Sequence, residues 1–307
     1  MANLAAEVRP PASPAKKRAP RFNWGPYLLL LPSLILLAVF TLYPMLSSGY
    51  LALFKADLAH RVPEWNGLGN FQELFASEAF RKVLKNSFIF AVGTIPFTVL
   101  IAMFLAVQLN RKLKSVSILR AAYFYPTMLP LVSAASIWNF MYNPNYGPID
   151  TLIKWLGGTP QNWLGDPKLA LGAVMVVQIW KDAGYFMIFF LAGLQSLPSD
   201  VFEAAELDGA PAWTQFWRIT FPLLSPTTLF VATISFINAF KAMDQIFVMT
   251  VGGPENATNV LLYYIYEQTF SFLNKGVGAA ASVVLILILL AWALFNQFYL
   301  DKKVHYD

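Results

Sequence analysis

The stretch EAAELDGAPAWTQFWRITFPLL, Glu203–Leu224, packs Glu203, Glu206 and Asp208 into six residues, with Asp200 just upstream. The chain on both sides is strongly apolar. Local chemistry predicts two short helices bent at Gly209. Ser199 or Asp200 can cap the first helix, and Asp200 with Glu203 three residues on has the form of a capping box. Glu203, Ala204, Ala205, Glu206 and Leu207 are good helix formers. Gly209 stands where a left-handed residue closes a helix, and Pro211 suits the first turn of the next. In that second helix Trp213, Phe216, Trp217 and Thr220 recur at i, i+3, i+4 and i+7, an apolar face bounded by Pro222 and Pro226. By itself the segment reads as an amphipathic connector on a membrane surface.

The membrane is implied by the whole chain. Of 307 residues 57% are hydrophobic and 13% charged, against roughly 25% charged in soluble domains. There is no cysteine, which removes disulfides, iron–sulfur clusters and thiolate zinc sites. The two histidines, His60 and His305, stand far apart, so a histidine-based metal or catalytic cluster is not expected. The net charge of +5 fits basic flanks that set membrane topology better than it fits nucleic acid.

Six apolar runs are long enough to span about 30 Å of hydrocarbon: 26–50, 86–109, 121–142, 169–197, 226–250 and 277–300. The fold class expected is therefore an all-α integral membrane protein. Residues 1–25, rich in Ala, Pro, Lys and Arg, read as a disordered basic tail, and 26–307 as one transmembrane domain. The first run stays uncharged until Lys55, too long for a cleaved secretory core. Prolines 96, 126 and 130 are tolerated where neighbouring helices satisfy freed carbonyls. No internal repeat is visible.

Lys and Arg set the orientation. The segment RKLKSVSILR, residues 111–120, carries four basic residues and no acid, which favours both termini in the cytosol. The loop 198–222 is then cytosolic, and 51–85, 143–168 and 251–276 are external. These external segments hold turn material such as VGGPEN and many aromatics.

Glu203-Ala204-Ala205, three residues, Gly209, nine residues, then Ile219 and Pro222 resembles the EAA signature of the membrane subunits of binding-protein-dependent ABC importers. Phe221 stands where that family has leucine. DGA at Asp208–Ala210, AGLQSLP at 192–198, FKAMDQIFVMTVGGPENATNVLLYYIY at 240–266 and KKVHY near the end are similar to its carbohydrate and glycerol-3-phosphate branch, the maltose-type permease component. The resemblance covers almost everything after the tail. It implies a type I importer fold in which Glu203, Ala204, Ala205, Asp208, Gly209, Ile219 and Pro222 form a coupling loop. It implies as partners a second related permease, two cytosolic ATPase subunits and an extracytoplasmic solute-binding protein, which Gly252, Gly253 and Pro254 would face. ATP and Mg would be bound by the ATPase subunits and no cofactor by this chain. The chain itself has no G-x-x-x-x-G-K-[ST] loop.

Two spans carry charge where an Asp or Lys costs about 2.5–3.5 kcal/mol. Gln178, Lys181, Asp182 and Tyr185 lie at i, i+3, i+4 and i+7, and Asn238, Lys241 and Asp244 recur every three residues, with Ser235 and Gln245 nearby. Both stripes suit either the solute path, the preferred reading, or a charge-compensated ladder between helices. One Lys and one Asp in each span make a nearly neutral lining, which suits a polyhydroxylated solute. Trp180, Tyr185, Phe236 and Phe240 are candidates to stack on sugar faces, although aromatics in membrane helices more often pack.

Overall fold

The computed structural model describes residues 25–60, 62–110 and 116–300. The expected basic tail, most of the RKLK segment and the Lys302–Lys303 pair fall outside them. The chain divides into two compact units, Met1–Leu46 and Ser47–Asp307. The boundary falls within α1 (Leu28–Leu51), an apolar helix with a π-turn at Ala38–Leu42, whose residues up to Leu46 belong to the first unit. Leu28, Leu29, Phe40 and Tyr43 are all exposed along it, as lipid-facing positions would be.

The second unit opens with a small hairpin, β1 (Phe54–Lys55) antiparallel to β2 (Glu64–Trp65), followed by α2 (Gly69–Ala76). Its frame is α3 (Glu78–Leu109) against α7 (Ala170–Ser196), the most extensive helix contact in the molecule. Between them in sequence lie α4 (Val116–Met128), α5 (Leu131–Met141) and the short α6 (Pro148–Trp155). After α7 come α8 (Ser199–Leu207), α9 (Ala212–Leu223), α10 (Ser225–Phe240), α11 (Asp244–Met249), α12 (Leu261–Tyr266) and α13 (Lys275–Leu300).

Among the described residues four single helices, α1, α3, α7 and α13, are long and apolar enough to cross a membrane, and a fifth if α9 and α10, bent by 66°, count as one span. Where spans 121–142 and 226–250 were expected, the structure has shorter helices separated by a break. The first is interrupted between Met128 and Leu131, because Pro130 cannot donate an amide hydrogen and disfavours helical geometry at Leu129; Pro130 itself is extended (φ −53°, ψ 139°). The second stops at Phe240 and resumes at Asp244. No proline or glycine stands there. Instead Lys241 takes the C-cap, where a cation meets the negative end of the helix dipole, and Asp244 opens the next helix at its positive end.

The core lies in two layers along α3. Phe80, Val83, Phe90 and Ala91 join Val177, Phe240 and Ile246 at one end; Val99, Met103 and Ala106 join Phe186, Phe190 and Leu224 at the other. Together with the buried Ser87, Thr94, Thr98 and Ala102, these α3 positions follow one stripe of the helix at steps of three or four residues. In hydrocarbon there is little transfer energy to gain, so close packing holds the helices. Gly184 shows how close: an added Cβ would collide with the carbonyl of Tyr123 on α4.

Candidate functional site: an acidic helical hairpin and a buried polar relay

The hairpin starts at Leu197, which is held extended (ψ 139°) before Pro198. Pro198 is itself extended (ψ 130°) and is therefore the N-cap of α8. This corrects the expected capping box: neither Ser199 nor Asp200 caps the helix, since both lie inside its first turn. Asp200 still meets the positive end of the dipole.

Ala205 is buried, whereas Glu203, Ala204, Glu206 and Asp208 are exposed and Leu207 is 90% exposed. The acids thus project from the bundle. The helix ends as expected at Gly209, with φ +67°. Its amide donates to the carbonyl of Glu206 (3.0 Å) and that of Ala210 to Ala205 (3.0 Å). That pair of bonds is a Schellman closure. The Gln215 side chain then donates to the carbonyl of Ala210 (2.9 Å), fixing the start of α9.

Pro211 is the N-cap of α9, one residue before the helical turn expected to hold it. The aromatic face is present but opened by a π-turn at Phe216–Thr220. Phe216 packs inward and Thr220 is buried, while Trp213 is 72% exposed and stands edge-on to Trp217. Ile219, Phe221 and Pro222 are half-buried at the base, next to the bend at Leu224.

Within the bundle the two predicted stripes are partly brought together. Gln245 donates to Gln178 (2.7 Å), and Gln178 donates to the Asp182 carboxylate (2.7 Å), which Asn238 also reaches. Gln178, Asp182, Ser235 and Gln245 are buried, so this relay joins α7, α10 and α11. Lys181 turns to the carbonyl of Leu129 (2.5 Å), at the break that precedes Pro130, with Asp244 within electrostatic reach.

Lys241 and Asp244 are not on one helix face, as the three-residue spacing suggested; they flank the break and are exposed on the subunit. Tyr185 is half exposed beside Phe186 and Phe189, and Trp180 faces elsewhere, edge-on to Trp138. Phe236 and Phe240 are buried packing residues, Phe236 stacked on Trp292 at 4.1 Å, so they present no face to a solute.

At the far end from the hairpin, the loop through Gly252, Gly253 and Pro254 is more than a turn. Gly252 is buried with φ +77°. Asn86 of α3 donates to the carbonyls of Asn256 (2.8 Å) and Asn259 (3.0 Å), and Ser87 accepts from the amide of Leu261 (2.8 Å). Thr258 donates to the carbonyl of Gly253 (2.7 Å). Sequence reasoning missed Asn86, Ser87 and Thr258. The available signal was a polar Asn-Ser pair at the head of an otherwise apolar span.

Long apolar helices around a buried polar relay, with an acidic hairpin projecting at one end, define a polytopic membrane subunit of a transport system. Comparison with known proteins agrees. Residues 66–306 match the family described as binding-protein-dependent transport system inner membrane component. The sn-glycerol-3-phosphate transport system permease protein UgpA of Agrobacterium fabrum is 34% identical over 92% of this chain and 96% of its own. The lactose transport system permease protein LacF of Rhizobium radiobacter is 34% identical over 90% of this chain and 94% of its own. A crystal structure of a bacterial ABC transporter involved in import of the acidic polysaccharide alginate shares the fold, with TM-score 0.79 and 24% identity over 91% of this chain and 96% of that one. The chain belongs to the binding-protein-dependent inner-membrane permease family of ABC importers.

Proposed function

We propose that this permease subunit imports a carbohydrate, a sugar or oligosaccharide, handed over by an extracytoplasmic solute-binding protein. Residues 26–307 form the permease domain and 1–25 a tail, with both termini in the cytosol. A second related permease completes the path, and two cytosolic subunits bind ATP and Mg and hydrolyse the nucleotide.

The observation that carries this reading is the hairpin: Glu203, Glu206, Asp208 and Leu207 are displayed at one end of the bundle on a helix closed rigidly at Gly209. A charged and apolar tip without a partner among the described residues suits a soluble subunit better than lipid. ATP-driven closure of that subunit moves α8, and through Ile219 and Pro222 the motion reaches α10.

The solute passes along the side of the subunit that shows Tyr185, Lys241 and Asp244, with Gln178, Lys181, Asp182 and Asn238 fixing the helices behind them. Trp180 is the member of the candidate set least suited to this path. The opposite charges of Lys241 and Asp244 favour a neutral polyhydroxylated solute. Glycerol-3-phosphate, which the name of one relative specifies, is the second reading.

Proteoliposomes holding the assembled complex, loaded with ATP and given binding protein and labelled sugar without an ion gradient, should accumulate the sugar. Uptake that needs an ion gradient and ignores ATP would overturn the proposal in favour of a secondary transporter.

A further inference from the structure

A furrow runs between α3 and α7, walled on its third side by Ala122, Tyr123 and Pro126 of α4 and Trp138 of α5. Its volume is about 730 Å³ and its lining is apolar. On α3 it follows Gly93, Phe97, Ile101 and Leu105, spaced by four residues, a single stripe. On α7 it follows Gly172, Val176, Ile179 and Ala183. Phe97 and Val176 are about half exposed, so the furrow opens outward from the subunit.

At the end nearest the 250–260 loop it runs on into a second cavity of about 470 Å³, with which it shares Gly172 and Met175. Lys82, Lys85 and Lys168 line this mouth, and no carboxylate lines it. Lys82 is held by the carbonyl of Glu255 (2.5 Å), an uncharged acceptor that leaves the ammonium charge uncompensated. Asp166 is engaged with the backbone amide of Lys168 (2.8 Å).

Cations therefore stand at one end of the furrow, Lys82 and Lys85 on α3 and Lys168 in the turn before α7, with an apolar stripe below. From Lys85 to Leu105 the stripe extends about 30 Å at 1.5 Å per residue, the full thickness of the hydrocarbon layer, and its half nearest the lysines, down to Gly93 and Phe97, spans about one leaflet. A phosphodiester above an acyl chain has the polarity of that half. A partner helix seated along the furrow would match the apolar part but would leave the lysines facing only water.

We propose that the furrow holds an anionic phospholipid, its phosphate on Lys85 and Lys168 with Lys82 beside them, and an acyl chain lying along Gly93 and Gly172. The leaflet, the outer one, rests on the orientation proposed above; the binding itself does not.

The test uses the assembled complex, exchanged into nanodiscs of equal phosphatidylglycerol and phosphatidylcholine with matched chains, and counts retained lipids by native mass spectrometry. The wild type should retain phosphatidylglycerol severalfold over phosphatidylcholine. Lys85→Gln with Lys168→Gln should bring the ratio to parity. Gly172→Leu should reduce both lipids together, and it should fold, because nothing lies within 4 Å of a Cβ added there. Undiminished phosphatidylglycerol preference in the double lysine variant, or unchanged retention in Gly172→Leu, would overturn the proposal. So would a map of the complex with a partner helix in the furrow.

Discussion

Gln245 of α11 donates its side-chain amide to Gln178 of α7 across 2.7 Å, although 67 residues separate them. The bond begins a relay that ends on the Asp182 carboxylate, so polarity accumulates in one direction along it. Replacing Gln245 with Leu removes the donor and leaves Gln178 with a buried acceptor unmet. Such a group costs about 1–3 kcal/mol, less where membrane helices find other partners. The assembled complex should lose several degrees in a detergent melt with its topology intact. An unchanged melting temperature would show that the relay holds nothing.

Gly209 has φ +67° and open space around its missing Cβ, so any substitution there acts through the backbone alone. Gly209→Val should force strain of about 1–2 kcal/mol, because an L-residue meets its own carbonyl in that region. Transport per assembled complex should fall while ATP hydrolysis continues. Gly209→Asn, which tolerates the left-handed region, should retain most transport. Equal transport in the two variants would mean that the closure is not needed for coupling.

Asn86 holds the carbonyls of Asn256 and Asn259 in the 250–260 loop, next to the bond from Lys82 to Glu255. Asn86→Leu should loosen the loop without disturbing α3. Protease nicking near Glu255, which is exposed, should accelerate in right-side-out vesicles. Identical nicking rates would refute the clamp.

Orientation is testable because the chain has no cysteine. A cysteine at Asn256 should react with an impermeant thiol reagent in intact cells. One at Thr214 should react only after permeabilisation. Labelling of Thr214 from outside would invert the topology proposed for both ends of the bundle.

The double variant Lys241→Met with Asp244→Leu separates a solute role from a structural one. Both residues end helices, so their loss should cost no more than the ~0.3–1 kcal/mol each typical of exposed dipole contacts. Assembly should persist and sugar flux should drop. Full flux would remove this surface from the solute path.

Long apolar runs made α1, α3, α7 and α13 legible, because a bilayer demands about twenty predominantly apolar residues whatever surrounds them. The closure at Gly209 was legible too, since left-handed geometry leaves few residue choices. The capping box failed because Leu197-Pro198 fixes the entry to α8 from outside the motif. The break between Phe240 and Asp244 was hidden by its lack of proline or glycine, though Lys then Asp around it is the charge order that two abutting helix ends prefer. The members of the relay from Gln245 to Asp182 stood out in the sequence, and a ladder between helices was one of two readings, but their pairing could not be read. Periodicity says which residues share a helix face, and nothing in it says which helix that face will meet.

The Schellman closure at Gly209 has a mechanical consequence. With the amides of Gly209 and Ala210 tied back to α8, and Gln215 gripping Ala210 from the far side, the elbow has no free backbone dihedral left to absorb a push. In the coupling proposed above, α8 and α9 would act as a bell crank, with its pivot at the bend of 66° beneath Leu224. A displacement applied at Leu207 would then pass through the elbow with little loss, leaving the π-turn at Phe216–Thr220 as the softer part of the arm. Lost motion, rather than lost grip, is the failure to look for when this elbow is altered.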